Sequence, residues 1–192
     1  ILNLNTMDID GKEINPAHHD IKLDHITFSY DQRKIIDDVS LTIPEKTTTA
    51  IVGPSGGGKT TLCNLIARFW DVDSGTVTLG GINVKDYSMN SLMNNFAFVF
   101  QRVYLFADTI ENNIKFGCQN ATHEEVVAAA KKACCHDFIS ALPEGYNTLI
   151  GEGGASLSGG EKQRISIARA IMKDAPIVIL DDATANVDAE YE

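Results

Sequence analysis

Gly53-Pro54-Ser55-Gly56-Gly57-Gly58-Lys59-Thr60 fills every fixed position of the pattern G-x-x-x-x-G-K-[ST], and its flanks settle what must surround it. Upstream, Thr49-Ala50-Ile51-Val52 reads as a strand; downstream, Thr61-Leu62-Cys63-Asn64-Leu65-Ile66 reads as a helix. The glycines let successive backbone N–H groups turn inward without Cβ clashes, and the positive end of the helix adds to the attraction for anions. Lys59 reaches the terminal phosphates and Thr60 offers a hydroxyl to magnesium. Gly53 to Thr60, with Thr61 in the first helical turn, are therefore the expected nucleoside triphosphate site. A chain organised around such a unit is committed to an α/β fold.

Bulk properties narrow the partners. The 192 residues are 44% hydrophobic and 22% charged, enough for one sizeable core and unlike a disordered or disulfide-built chain. A net charge of −10 argues against a general nucleic-acid surface or an anionic membrane surface, both of which need fields of Lys and Arg. Phosphate must be held by local geometry instead. Cys63, Cys118, Cys134 and Cys135 form no C-x-x-C pair and have no His at metal-ligand spacing, so they read as reduced thiols with no zinc. His18-His19-Asp20 reads as solvated surface. No stretch approaches the roughly 20 apolar residues of a membrane span. The chain opens on Ile1 and closes inside Asp188-Ala189-Glu190-Tyr191-Glu192, a helix just starting, and is expected to be part of a larger protein.

Residues 1–20 are polar and without period, a linker or arm. Ile21-Lys22-Leu23, Ile26-Thr27-Phe28 and residues 39–43 alternate as antiparallel edge strands. Thr76 to Leu79 and Ala97-Phe98-Val99-Phe100 are further strands. Between Arg102 and Ser156 the pattern turns helical, with a capping box at Thr122-His123-Glu124-Glu125, an apolar face of Val126, Val127, Ala130 and Ala133, and Lys131-Lys132 at the negative end of the dipole. A second strong helix runs over 158–173, and Ile177-Val178-Ile179-Leu180 reads as a central strand buried on both faces. That strand delivers Asp181 and Asp182 to its carboxyl end, where open sheets bind ligands, and Asp181 is placed to hold magnesium. In Leu157-Ser158-Gly159-Gly160-Glu161, Ser158 and Glu161 make a capping box. Two glycines in a first helical turn cost roughly 1 kcal/mol each against Ala, which points to an anion approaching the backbone.

With the phosphate loop, the Leu-Ser-Gly-Gly turn and Ile-Val-Ile-Leu-Asp in that order, the sequence resembles the nucleotide-binding domain of an ATP-binding cassette (ABC) transporter, over about Ile21 to Glu192. The resemblance implies an α/β P-loop NTPase core, mostly a parallel sheet, with an antiparallel β edge, a helical subdomain, and the C-terminal part of the fold missing. It lays out residues 1–20 as the arm from an upstream transmembrane domain, 21–101 as the first part of the ATP-binding core, 102–157 as the helical subdomain, and 158–192 as the signature helix and the Asp181 strand. It implies ATP and Mg2+, a second nucleotide-binding domain docked head to tail, no nucleic acid, and a place on the cytoplasmic face of a membrane. Each ATP would lie between one copy's phosphate loop and the other's Ser158, Gly159 and Gly160. Residue by residue, Tyr30 is similar to the aromatic that stacks on adenine, Gln101 to the glutamine that contacts magnesium and the attacking water, and Asp188 to the D-loop aspartate, although Ala185-Asn186-Val187 departs from the usual Ser-Ala-Leu. Gln101 to Phe106, Thr109 to Ile114 and Thr148 to Gly154 resemble exporter segments that abut coupling helices.

Two departures stand out. The family's catalytic glutamate is replaced by Asp182, a carboxylate one methylene shorter, as in the degenerate half of heterodimeric exporters. The switch histidine has no counterpart, because His18, His19, His25, His123 and His136 all precede Asp182. The expected function is an ATPase domain powering solute export, with Lys59, Gln101 and Asp182 as its catalytic groups and little activity from the 192 residues alone. A degenerate half-site with little hydrolysis, a soluble ABC ATPase without a membrane part, and a regulatory nucleotide-binding module are the alternatives.

Overall fold

The computed structural model describes residues 7–151 and 156–181. The chain divides after Phe96 into two compact units.

The first unit is built on strands β1 (Ile21–Tyr30) and β2 (Arg33–Ile43), helix α1 (Lys59–Ile66), strands β3 (Ser74–Leu79) and β4 (Ile82–Asn83), and helix α2 (Met89–Met93). Its four strands pair antiparallel in the order β2-β1-β3-β4, which supplies the expected antiparallel edge. The two short alternations of the sequence are one strand. Ile21, Leu23, Ile26 and Phe28 are buried, and the step from Leu23 to Ile26 breaks the period of two. The break is a bulge: His25 has φ 49°, and both ladders of β1 shift register around it. Gly75, on β3, faces this bulge at φ 82°, where an added Cβ would lie 2.3 Å from the His25 carbonyl oxygen. Gly75→Ala therefore combines a disfavoured backbone conformation with overpacking, and is expected to cost about 3 kcal/mol, read as a lower midpoint in urea.

Helix α1 stops in a Schellman motif. Phe69 N–H donates to the Asn64 carbonyl at 2.8 Å and Arg68 N–H to Leu65 at 3.1 Å, with Arg68 left-handed at φ 56°. The Arg68 side chain, only 2% exposed, pairs with Asp71 at 3.0 Å and donates to the Asp8 carbonyl at 2.6 Å. Residues 8–14, though mostly exposed, are held by their backbone: Lys12 N–H donates to the Asp86 carbonyl at 2.8 Å, Ser88 N–H to that of Lys12 at 2.7 Å, and Ile14 N–H to the Ser91 hydroxyl at 2.8 Å.

The second unit holds most of β5 (Phe96–Val99), helices α3 (Ile110–Lys115), α4 (His123–Lys132), α5 (His136–Ala141) and α6 (Gly159–Lys173), and strand β6 (Ile177–Leu180), which pairs with β5. The capping box forms: the Thr122 hydroxyl accepts from Glu125 N–H, and Glu125 accepts from Thr122 N–H at 2.7 Å. Val126 and Ala130 of α4 and its C-cap Ala133 pack with Ile110 and Ile114 of α3 and Ile165 and Ala168 of α6 into one core, with Val127 at its margin. Thr122→Ala removes one half of the box and is expected to cost about 1 kcal/mol, measurable by the same titration.

Two strand expectations change. Residues 49–52 are not a strand, and Val52 is 88% exposed. An apolar run becomes a strand only by pairing, and no described segment pairs with this one. Residues 177–180 do form β6, but Val178 and Leu180 are 53% and 61% exposed instead of buried, since β5 is its one described neighbour.

Candidate nucleotide site

The phosphate loop lies in the first unit. Gly56 and Gly58 sit at φ 75° and 86°, so these two positions require glycine. Gly58 is the N-cap of α1, with no side-chain cap, and the first turn carries no acidic residue. The first-turn N–H groups of a helix have no intrahelical acceptor, which suits this end of α1 to an anion. Gly57 N–H donates to the Pro54 carbonyl at 3.1 Å, closing the loop. The Lys59 ammonium lies over it, 3.0 Å from the carbonyl oxygens of both Gly53 and Pro54. A cation is thus held at the crest of a ring of backbone amides. Ser55 and Thr60 are exposed and Thr61 is buried. A cavity of about 250 Å³ opens elsewhere in this unit, against Leu65, Trp70, Val77 and Lys85. It contains no loop residue, and a backbone cradle needs none, being a surface and not a hole.

Tyr30 ends β1 with its ring edge-on to Phe28 (centroids 4.8 Å, 88°) and to Trp70 (5.5 Å, 86°). Trp70, the single tryptophan, had no signal in the sequence that would link it to Tyr30. Two perpendicular neighbours hold the Tyr30 ring in one orientation.

The second unit carries the other half of the residues. Gln101 follows β5 and is exposed. Asp181 follows β6, and its N–H donates to the Val99 carbonyl at 2.9 Å, so the ends of the two strands are tied together. Ser158 caps α6: its hydroxyl accepts from Glu161 N–H and donates to the Glu161 carboxylate at 2.8 Å, which in turn accepts from Ser158 N–H at 2.7 Å. The box thus engages Ser158 and Glu161 and leaves the N–H groups of Gly159 and Gly160 to be met from outside the helix. Gly159 is exposed and Gly160 partly so, the condition an external anion demands. Asp182 and Asp188, and residues 152–154 of the exporter-like segment, lie outside the described residues.

The two exporter-like segments meet. Ile110 N–H donates to the Thr148 carbonyl at 3.1 Å, Ile150 N–H to that of Asp108 at 2.9 Å, and Thr109 pairs antiparallel with Leu149. Tyr104, Phe116 and Leu149 are 55%, 56% and 70% exposed beside this junction. The buried Cys135 thiol is pushed up to about 12 by desolvation, as fits an inert structural cysteine.

The profile of the ABC transporter family matches residues 36–185, spanning the loop, Gln101, the Ser158 turn and Asp181. The chain belongs to the ABC transporter family. The chain is 49% identical over 183 residues to an ATP-dependent lipid A-core flippase of Desulfotalea psychrophila, covering 95% of this chain and 32% of that protein. It is 51% identical over 174 residues to a putative multidrug export ATP-binding/permease protein of Staphylococcus aureus, covering 90% and 30%. Among solved structures, a bacterial Atm1-family ABC exporter with ATP bound superposes at a TM-score of 0.92 with 39% identity, over 95% of this chain and 32% of that one. The chain thus spans about a third of the length of these ABC proteins. No helix among its described residues is long and apolar enough to cross a membrane. Tyr30 precedes the residues matched by the ABC profile, which begin at residue 36.

Proposed function

We propose that this domain binds MgATP at the phosphate loop and drives solute export by closing head to tail on a second nucleotide-binding domain, fused through residues 1–20 to a transmembrane domain. The observation that carries the reading is the pairing of two anion receptors in one chain: a lysine-crested glycine loop, and a capped helix whose Gly159 is exposed and Gly160 partly so.

The loop amides and Lys59 bind the β- and γ-phosphates, Lys59 exchanging its two carbonyl contacts for phosphate oxygens. Tyr30, fixed by Phe28 and Trp70, stacks on the adenine. The Thr60 hydroxyl, the Asp181 carboxylate and the Gln101 amide oxygen are hard donors of the kind magnesium takes. When bound, that ion neutralises charge on the phosphates. Gln101 and Asp182 orient the attacking water, which forms the new P–O bond as the β–γ bridge breaks to ADP. The Gly159 and Gly160 amides of the facing molecule meet the γ-phosphate and exclude bulk water. Asp182, with its shorter arm, favours the reading of a degenerate half that binds ATP and hydrolyses it slowly. The exposed aromatic junction at Tyr104 and Phe116 fits a membrane-tethered domain better than a freestanding ABC ATPase.

The test is optical. Adenine on Tyr30 changes the surroundings of Trp70, so ATP titration is expected to shift the emission of this single tryptophan saturably. Tyr30→Ala is expected to weaken ATP by about tenfold, roughly 1.4 kcal/mol, and inorganic triphosphate hardly at all. Equal losses for both ligands would remove Tyr30 from the base site.

A further inference from the structure

We propose that Arg169 is a positioning residue that, with Asn113, locks the signature helix α6 to the segment following Gln101, so that displacement at either place is carried to the other. The proposal rests on the reading that α6 presents its first turn to a facing ATP.

The Arg169 guanidinium spends its fork on backbone and amide oxygens. Nε donates to the Asn113 carbonyl at 2.9 Å, Nη2 to Asn113 Oδ1 at 3.0 Å, and Nη1 to the Tyr104 carbonyl at 3.1 Å. Asn113, 1% exposed, is itself fully committed: Nδ2 donates to the carbonyls of Phe106 and Thr109, each at 3.0 Å, and Oδ1 also accepts from Phe106 N–H at 2.8 Å. The two side chains therefore hold residues 104–106 at three backbone positions. The guanidinium also lies over the rings of Phe106 and Phe116, 5.5 and 5.6 Å from their centroids, and those rings stack at 4.5 Å.

Arg169 is a costly residue to bury. Burial disfavours its charged form, and among the described residues no carboxylate pairs with it. A hydrophobic side chain of similar volume would avoid that cost but would leave the acceptors on Asn113 and Tyr104 without this donor. What a planar five-donor fork supplies, and a hydrophobe or an ammonium does not, is fixed geometry. That geometry connects one helix to one loop: the α6 N-cap Ser158 lies eleven residues earlier, and Tyr104 lies three residues past Gln101. Rigid elements joined by a saturated polar node move together, whereas apolar contacts allow sliding.

The experiment uses the full-length transporter in lipid, comparing wild type with Arg169→Lys, Asn113→Ala and the double variant. Three quantities are read: binding of radiolabelled ATP, steady hydrolysis, and hydrogen exchange of the Phe106 amide without nucleotide. Arg169→Lys keeps the charge and loses the fork. It is expected to slow hydrolysis roughly tenfold, leave ATP affinity within about twofold because Lys59 and its loop are untouched, and speed exchange at Phe106. The double variant is expected to match the worse single variant, since both remove one node. Wild-type hydrolysis in Arg169→Lys, multiplicative losses in the double variant, or unchanged exchange at Phe106 would each overturn the proposal. A wild-type protein that binds no ATP would instead overturn the nucleotide reading beneath it, while the exchange measurement still decides whether the clamp exists.

Discussion

Lys59→Met is expected to weaken ATP binding at least about 100-fold, a loss of about 2.7 kcal/mol. The chain has a net charge of −10, so no general positive field can take over the role. Within the loop the remaining attraction comes from backbone amides and the end of one eight-residue helix, whose dipole contributes on the order of 1 kcal/mol. Charge-assisted hydrogen bonds to phosphate are roughly twice as strong as neutral ones, and among the described residues Lys59 supplies the ammonium held at the loop by defined contacts. Methionine keeps the length and apolar stem of the side chain, and the two carbonyls it abandons face solvent, so melting should change little. Calorimetric titration with ATP measures the effect; affinity within about twofold of wild type would mean the triphosphate is not held here.

Asp182→Glu is expected to raise ATP turnover by about tenfold or more when the protein is assayed with its natural partner and membrane part, with little change in ATP affinity. β6 delivers the adjacent Asp181 with its N–H tied to Val99, so the direction of the chain at this point is set by strand pairing. A carboxylate one methylene longer reaches further from that fixed start, toward the water it must orient. Phosphoryl transfer depends on positioning, and a misplacement of about 1 Å costs on the order of 100-fold. Turnover kinetics check the expectation. Unchanged turnover in Asp182→Glu would remove the argument for a degenerate half.

Local chemistry made much of this molecule legible. The glycines at 56 and 58 were readable because positive φ is a one-residue property, and both capping boxes because four residues suffice to make them. The alternation of β1 was visible too, although the bulge at His25 was not: the residue that makes room for it, Gly75, lies fifty residues away on β3. Long-range pairing accounts for the other misses. Residues 49–52 have strand composition, yet composition does not supply a neighbour, and β6 forms with two of its four residues exposed for the same reason. Residues 8–16 show no period because they are held by backbone hydrogen bonds and the buried Arg68, neither of which writes a pattern into side chains. Arg169 and Asn113 meet across 56 residues, and Trp70 meets Tyr30 across 40, with no spacing rule to announce either.

A triphosphate that bridges the loop of one molecule and the Ser158 turn of another must bring those two segments together only while it is bound. Photo-crosslinking from an unnatural residue in place of Ser55, in the full-length transporter, tests it most directly, because Ser55 is exposed on the loop and removes no phosphate-binding amide when replaced. With ATP and magnesium, the adduct is expected on the facing subunit's Leu-Ser-Gly-Gly turn, and its yield should fall to background without nucleotide or in Lys59→Met. Adducts confined to the same chain, or the same intermolecular yield with and without ATP, would contradict the account.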